Sequence, residues 1–298
     1  MITTQVRILH ILDAAGIGSI LCKYLRLAGH DARLVGNPSL NDKYGIYDYY
    51  NEFIVRYTFQ DFTAGVIKEA ALADIIHVHS NIGILAKIRK TYGPKKKIVL
   101  HYHGTDLRGL RTIVLPHRSL PSDVIIYAKF LYKKTFHKNI HSRAQQTANS
   151  VLVSTRDLLP RTRDAIHLPT PIDTEHFTLR TSKGNDVAFM IDNEMTNANF
   201  ALNYCKRGGI TMPIKIYDRT LEPVLYKYMP KFLKKHSIYV DIRFVNGELL
   251  GSLSSTGLQS LACGLTVLNY DLKYMTSLPP EHRAEKVTSR LISIYDRL

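Results

Sequence analysis

The sequence predicts an α/β protein built as two Rossmann-like, doubly wound domains facing a cleft, the second shorter than the first. Three observations carry that expectation. Short apolar, β-branched runs alternate with segments whose apolar residues recur at helical spacing, as repeated βα units of a parallel sheet require. Glycine turns follow strand-like runs, at the place where such sheets keep their ligand crevice. Between the two βα series stands LPTPIDTEHF, Leu168 to Phe177. Pro169 and Pro171 fix two φ angles and withhold two N–H donors, so neither a helix nor a central strand runs through. The chain therefore divides into a first domain over 1–170, a linker over 171–178 and a second domain over 179–298.

Taken in order, Val6 to Leu12 reads as a strand, DAAGIGS as a turn and SILCKYLRLAGH as a helix. Gly16 and Gly18 let the backbone pass close to a ligand, and Ser19 can cap the helix, whose free N–H groups favour an anion. A tight turn with no ligand explains the same residues, because the third glycine and the carboxylate of a dinucleotide fingerprint are missing. Asp31 to Val35 reads as a strand and Tyr44 to Tyr57 as an irregular connection. Ala73 to His79 is a strand, Ile84 to Tyr92 a helix, and Ile98 to His103 a strand leading into HGTDLR. This order sets Asp13, His79, His103, Asp106 and Arg108 at the carboxyl ends of parallel strands, as a ligand crevice or as a polar rim.

From Val124 to Arg156 there is no acidic residue, while Lys129, Lys133, Lys134, Lys138 and Arg143 are interleaved with Phe130, Leu131, Tyr132 and Phe136. A helix over 125–137 would carry an apolar side bordered by basic residues, suited to an anionic bilayer. A solvated face or a nucleic-acid contact fits the same pattern. The strand VLVST, a turn at Asp157 to Pro160 and a short strand at Ala165 to Leu168 complete this half.

The 298 residues, 45% apolar and 22% charged, describe a globular protein long enough for two cores. Its net charge of +15 is uneven. Residues 1–170 hold 24 Lys and Arg against 12 Asp and Glu, a surplus of 12; residues 171–298 hold 16 against 13, a surplus of 3. Such asymmetry points to a polyanionic partner of the first half. Cys22, Cys205 and Cys263 are scattered, with no zinc-like spacing, which argues against disulfide and metal frameworks and for a reducing compartment. No apolar run is long enough to span a bilayer, so the expectation is a cytoplasmic protein, peripheral at the inner face of the membrane.

In the second half Val187 to Ile191 reads as a strand, Asn199 to Arg207 as a helix and Pro213 to Tyr217 as a strand. Leu221 to Lys235 is helix-like and Ile238 to Phe244 strand-like. Ser254 to Cys263 is a helix with hydroxyls at its amino end, followed by the strand LTVLNY. Such a helix start suits a pyrophosphate, combining free N–H donors with the positive end of the dipole.

The segments RILHIL-DAAGIGSILCKYLRLAGHDARLVG, ADIIHVHS, IVLHYHGTDLR, VLVSTRDLL and HLPTPIDTEHF together resemble the amino-terminal domain and linker of family 4 glycosyltransferases, in order and spacing over about 170 residues. The resemblance implies the GT-B fold, a nucleotide-sugar co-substrate, retention of anomeric configuration and no metal or other cofactor, in keeping with the lack of a D-x-D motif. It also implies docking on acidic membranes through the first domain, and a final helix, here within 279–298, that packs back on that domain. GSLSSTGLQSLACGLTVLNY resembles the family's donor-binding signature, with Gly251 and Gln259 where two glutamates stand. Gln259 accepts a ribose hydrogen bond only through its amide, and Gly251 offers nothing comparable. Where the family presents an Arg/Lys phosphate clamp, this chain has MIDNEMTNANF, with Asp192 and Glu194.

The expected activity is transfer of a sugar from a nucleotide-sugar to a lipid-linked or other membrane-associated acceptor. His103 and Asp106 are the catalytic candidates. Gly16, Gly18, Arg108, Ser254, Ser255 and Gln259 are the substrate-binding ones, and Lys129, Lys133, Lys134 and Lys138 the membrane contacts. The alternative is a catalytically silent GT-B-like partner in a glycosylation complex. A specific nucleic-acid partner is not expected, since no recognition module is present.

Overall fold

The computed structural model describes residues 5–38, 42, 44–108, 139–182, 184–192, 198–219, 221–245 and 247–298. Glu194 and the basic stretch with Lys129, Lys133, Lys134 and Lys138 lie outside these residues.

Strands β1 (Arg7–Ile11), β2 (Asp31–Gly36), β3 (Ile54–Arg56), β4 (Ile75–His79), β5 (Lys97–Tyr102), β6 (Ser150–Val153) and β7 (Ile166–His167) form one sheet in the order β3-β2-β1-β4-β5-β6-β7. Every pairing is parallel. Helices α1 (Ile17–Leu27), α2 (Ile46–Tyr49), α3 (Phe62–Leu72), α4 (Ile82–Tyr92) and α5 (Thr105–Arg108) connect them. The central strands are apolar on both faces because helices cover both. Leu9, Ile11, Ile76, Val78 and Leu100 share one core with residues of α3 and α4. Ile8, Ile75 and Val99 belong to another with residues of α1. The strand order reverses between β1 and β4, so the crevice of this lobe opens at their carboxyl ends.

The second sheet runs β14-β13-β10-β8-β9, from β8 (Asn185–Asp192), β9 (Ile214–Asp218), β10 (His236–Val240), β13 (Thr266–Leu268) and β14 (Tyr274–Met275). It is parallel except at β14. A hairpin, β11 (Phe244–Val245) and β12 (Glu248–Leu249), stands apart. Helices α6 (Ala198–Arg207), α7 (Met229–Leu233) and α8 (Ser255–Ala262) complete the lobe, and α9 (Ala284–Tyr295) ends the chain. This last helix buries Ala284, Val287, Leu291, Ile294 and Tyr295, which lie in one core with Leu21 and Leu25 of α1.

Local departures from the expected elements have local causes. The tyrosine-rich connection contains α2 and the edge strand β3, because Asp42 accepts hydrogen bonds from the Ile46 and Tyr47 N–H groups and starts a turn of helix. The helix expected over 221–235 is confined to a 3-10 turn at Tyr226–Tyr228 and α7, whose second residue is Pro230; Leu221 and Glu222 form a turn bonded back to the Asp218 carbonyl, and Pro223, with no N–H to donate, ends it. Helix α3 and the hairpin were not expected at all.

The proline waist is held by one carboxylate. Asp173, with no exposed surface, accepts hydrogen bonds from Lys23 Nζ at 2.9 Å, Tyr24 OH at 2.9 Å and Tyr50 OH at 2.8 Å. Tyr50 OH is also 3.0 Å from Tyr226 OH, which brings in the second lobe. Next to it, the Ile172 N–H donates to the His282 carbonyl at 2.7 Å and the Ala284 N–H donates to the Ile172 carbonyl at 3.1 Å, tying the linker to the start of α9. Burial alone would raise the Asp173 pKa, but the bonds from Lys23, Tyr50 and Tyr24 outweigh it and hold the carboxyl below its ordinary range. Its stabilisation is therefore present above the unfolded carboxylate pKa and lost as pH falls through the depressed folded value. Replacing Asp173 with Ala leaves Lys23 its Glu175 partner at 2.7 Å and Tyr50 its Tyr226 contact but strands the Tyr24 hydroxyl and removes the other bonds, and should lower unfolding free energy by about 2–4 kcal/mol in urea titration at neutral pH; a loss under about 1 kcal/mol would contradict this role.

Candidate functional site

At the carboxyl end of β1 the chain turns through Gly16, whose φ of 86° is the left-handed conformation glycine tolerates, into α1. The tip of α1 already carries an anion. Asp13 accepts from the Gly18 N–H at 2.8 Å, the Ser19 N–H at 3.2 Å and Ser19 Oγ at 2.5 Å. Ser19 thus donates to the capping carboxylate rather than capping the helix itself. Burial pushes the Asp13 pKa up to about 6, against the downward pull of those bonds. Gly18 is required by packing: a Cβ there would lie 2.7 Å from Leu34 Cδ1 and 3.2 Å from His79 Nε2. Gly18 therefore serves helix-to-sheet contact.

Beneath α1, alternate positions of β1, β4 and β5 place histidines on one face. The register sets His10 beside His77 and His79 beside His101. A continuous chain of hydrogen bonds results: Tyr295 OH to His77 Nδ1 at 2.6 Å, His77 Nε2 to His101 Nδ1 at 3.1 Å, and His101 Nε2 to Ser154 Oγ at 3.0 Å. It continues from Ser154 Oγ to His103 Nδ1 at 2.7 Å, His103 Nε2 to His79 Nδ1 at 2.8 Å, and His79 Nε2 to His10 Nδ1 at 2.9 Å. One hydrogen per neutral imidazole or hydroxyl suffices for the whole run, with His10 Nε2 left unpartnered at its end. Burial drives the His10 pKa down to about 3 and that of His103 to about 4, and holds His77, His79 and His101 well below the ordinary value, so all five rings are neutral.

Two trios, His10/His77/His79 and His79/His101/His103, bring three nitrogens within 4.8 Å of one another. Their geometry does not fit a cation. His79 and His103 face each other in line, with 2.8 Å between nitrogens and 5.0 Å between ring centres, which leaves room for one proton and not for an ion about 2 Å from each nitrogen. His77 and His79 lie only 7° from parallel at 4.6 Å, so their in-plane lone pairs do not converge.

Of the expected catalytic pair, His103 stands within this chain between Ser154 and His79, with both ring nitrogens engaged. Asp106 is fully used by the turn that follows: its Oδ2 accepts from the His103 N–H and Ser80 Oγ, its Oδ1 from the Gly104 and Leu107 N–H groups. Arg108 is paired with Asp157 at 2.7 Å and 2.8 Å and with Thr155 at 2.9 Å, an anchor for the segment after β6. Gly18, His79, His103 and Asp106 are thus brought together at one sheet edge.

Ser254, Ser255 and Gln259 stand in the other lobe. Ser254 caps α8, its Oγ accepting from the Gly257 N–H at 2.8 Å. The strand before it supplies a second carboxylate: Asp241, 1% exposed, accepts from the Ser254 N–H at 2.6 Å and lies 3.3 Å from the Arg243 guanidinium. A Cβ on Gly257 would come within 2.2 Å of Asp241 Oδ2, so the glycine is what lets the carboxylate reach the helix tip. Ser255 is half-buried in the first turn, Gln259 is 6% exposed on the core side, and Gly251 is exposed. The tips of α1 and α8, the two expected to favour an anion, are therefore each met by an internal carboxylate, and Asp192 ends β8. Asp241 and the His10–Tyr295 chain went unnoticed in the sequence. The signal for the chain was histidine at alternate positions in HVH and HYH, beside the lone His10.

No protein-family model matches the chain, and no curated protein does. Solved structures do. An alpha-glucosyltransferase in complex with UDP and a 13-mer DNA superposes with a TM-score of 0.55 at 13% identity, over 89% of this chain and 79% of that one. AviGT4, a glycosyltransferase involved in avilamycin A biosynthesis, gives 0.55 at 9% identity over 98% and 97%, and sucrose-phosphate synthase from Thermosynechococcus elongatus 0.52 at 8% over 97% and 90%. The likeness shows the fold: two Rossmann-like domains in the GT-B arrangement of glycosyltransferases.

Histidines that are neutral when folded and free to charge when unfolded make stability fall with acid. Each adds up to one proton to the unfolded chain below pH 6.5, or about 1.4 kcal/mol per pH unit, while Asp13 opposes by one proton below about pH 6. Urea midpoints should therefore drop steadily from pH 7 to pH 5, and less steeply in a His101→Asn variant; a flat or rising profile would show that the rings do not stay neutral.

Proposed function

We propose that the chain is a glycosyltransferase that takes a sugar from a nucleotide-activated donor held between its lobes and passes it, with retention and without a metal, to a lipid-linked or other membrane-associated acceptor. The observation that carries this reading is the GT-B architecture itself, shared with glycosyltransferases over almost the whole chain. On this reading the carboxyl edge of one parallel sheet, with His103, and the carboxyl edge of a second, with the tip of α8, are the two sides of a donor crevice.

Catalysis in this reading is positional. His103, braced by His79 and Ser154, presents a neutral ring toward the donor sugar. Ser254 and Ser255 line the diphosphate side of this crevice at the start of α8, where Asp241 already holds the Ser254 N–H, so the charge of the leaving diphosphate needs a further partner. The surplus of basic residues in the first domain supports a negatively charged surface as the place of work, which we assign to the inner face of the membrane, with Lys129, Lys133, Lys134 and Lys138 as its contacts. No helix among the described residues is long and apolar enough to cross a membrane.

One observation favours a second reading, a catalytically silent partner in a glycosylation complex: Asp241 occupies the α8 tip that a diphosphate would need. Incubation with a panel of nucleotide-sugars, following transfer to lipid acceptors and slow hydrolysis by released nucleotide, separates the two. Turnover with at least one donor, reduced by roughly tenfold or more in His103→Ala, is the result expected; binding without turnover across the panel selects the silent partner. In vesicle sedimentation the protein should pellet with anionic and not neutral lipid, and Lys133→Glu with Lys134→Glu should abolish the difference. Equal recovery on both vesicle types removes the membrane assignment.

A further inference from the structure

We infer that Arg219 is the anion-binding residue of the crevice, receiving the diphosphate of a nucleoside diphosphate in place of the absent Arg/Lys clamp after β8. This rests on the donor reading above and names the residue that neutralises the donor's charge.

Arg219 follows β9 at the carboxyl edge of the second sheet, held there by its N–H bonded to the Asp192 carbonyl at 3.1 Å. Its guanidinium carbon lies 3.6 Å from the centre of the Tyr44 ring, across the junction between lobes, and the neighbouring Tyr226 N–H bonds the Tyr44 carbonyl at 2.8 Å. Stacking fixes the guanidinium plane and leaves its edge for a forked contact, the geometry that suits phosphate.

The group is half-buried and poorly compensated. Burial lowers its pKa, no ion pair with a carboxylate is formed among the described residues, and its Nε has no hydrogen-bond partner. By contrast Lys23, Arg108 and Arg243 each have a carboxylate. A desolvated cation left without an anion costs stability unless a ligand supplies one. Beside it lies a cavity of about 190 Å³ lined by Ile191, Tyr217, Pro223, Met229 and Phe232, with the exposed Glu222 at its rim. Its apolar and aromatic walls suit the flat face of a base, and Arg219 the phosphates. The two helix tips offer no substitute, since Asp13 and Asp241 already sit on them.

The test is calorimetric titration of the full chain with inorganic pyrophosphate and with UDP, ADP and GDP, beside Arg219→Gln, Arg219→Lys and Tyr44→Leu, with thermal unfolding of each variant. Arg219→Gln should weaken pyrophosphate and the preferred nucleoside diphosphate by a similar factor, roughly tenfold to a hundredfold, with partial recovery in Arg219→Lys. Tyr44→Leu should weaken both less. If Arg219→Gln lowers the melting temperature but binds both ligands as the unaltered protein does, the guanidinium is only a strap between lobes and the inference falls. Pyrophosphate binding that depends on Arg219, with no nucleoside diphosphate bound, would uphold the anion site and remove the donor reading. Binding of neither ligand by the unaltered protein would remove both.

Discussion

Asp173 is the constraint on which the arrangement of the two lobes depends. It sits in the proline segment that leaves the first sheet, and a lysine and a tyrosine from α1 and a tyrosine from the 44–57 connection donate to it. Through the Tyr50–Tyr226 contact the same carboxylate reaches the second lobe. A buried carboxylate with four donors, the Glu175 N–H among them, is satisfied only in one geometry, so the waist is a fixed joint and not a loose tether. The final helix closes the joint from the other side, by the Ile172 bonds at its start and by Tyr295 on His77 near its end. The crevice edges are consequently positioned by polar contacts at the waist together with apolar packing of α9 on α1.

The two lobes solve a shared problem in the same way. In each, a strand ends in an aspartate that turns back onto the tip of the next helix, Asp13 on α1 and Asp241 on α8, and in each a glycine removes the Cβ that would stand in the way, of Leu34 and His79 in one case and of Asp241 in the other. This satisfies helix N–H groups that a phosphate would otherwise meet. On the proposed reading the positive partner of a donor diphosphate comes from a side chain, and Arg219, stacked on Tyr44 at the lobe junction, would be that partner and would link donor binding to the contact between lobes.

The sequence made the architecture legible because its information is local. Alternating βα patterns, the glycine turn and the Pro169–Pro171 stop each dictate backbone geometry whatever surrounds them. Tertiary pairing was not legible. That Arg108 would be consumed by Asp157 depends on a contact across 49 positions, and that Ser80 would donate to Asp106 on one across 26. Asp241 was hidden because nothing in VDIRF marks a residue whose carboxylate will reach a helix tip. His103 was noticed for its glycine and aspartate neighbours, yet its chemistry is set by His79 and Ser154, on other strands. Helix α3 was missed for a different reason: FTAGVIKEAAL has a weak apolar stripe, and its helicity comes from packing against the sheet and α4.

The central claim is that a nucleoside diphosphate lies in the crevice, between the sheet edge bearing His103 and the second-lobe edge bearing Arg219 and the start of α8. A crystal structure of the protein grown with a saturating nucleoside diphosphate tests it most directly. The account predicts phosphate density on the Arg219 guanidinium and the base against Tyr217 and Phe232. Density for the nucleotide elsewhere on the surface, with Arg219 still stacked on Tyr44 and making no phosphate contact, would contradict it.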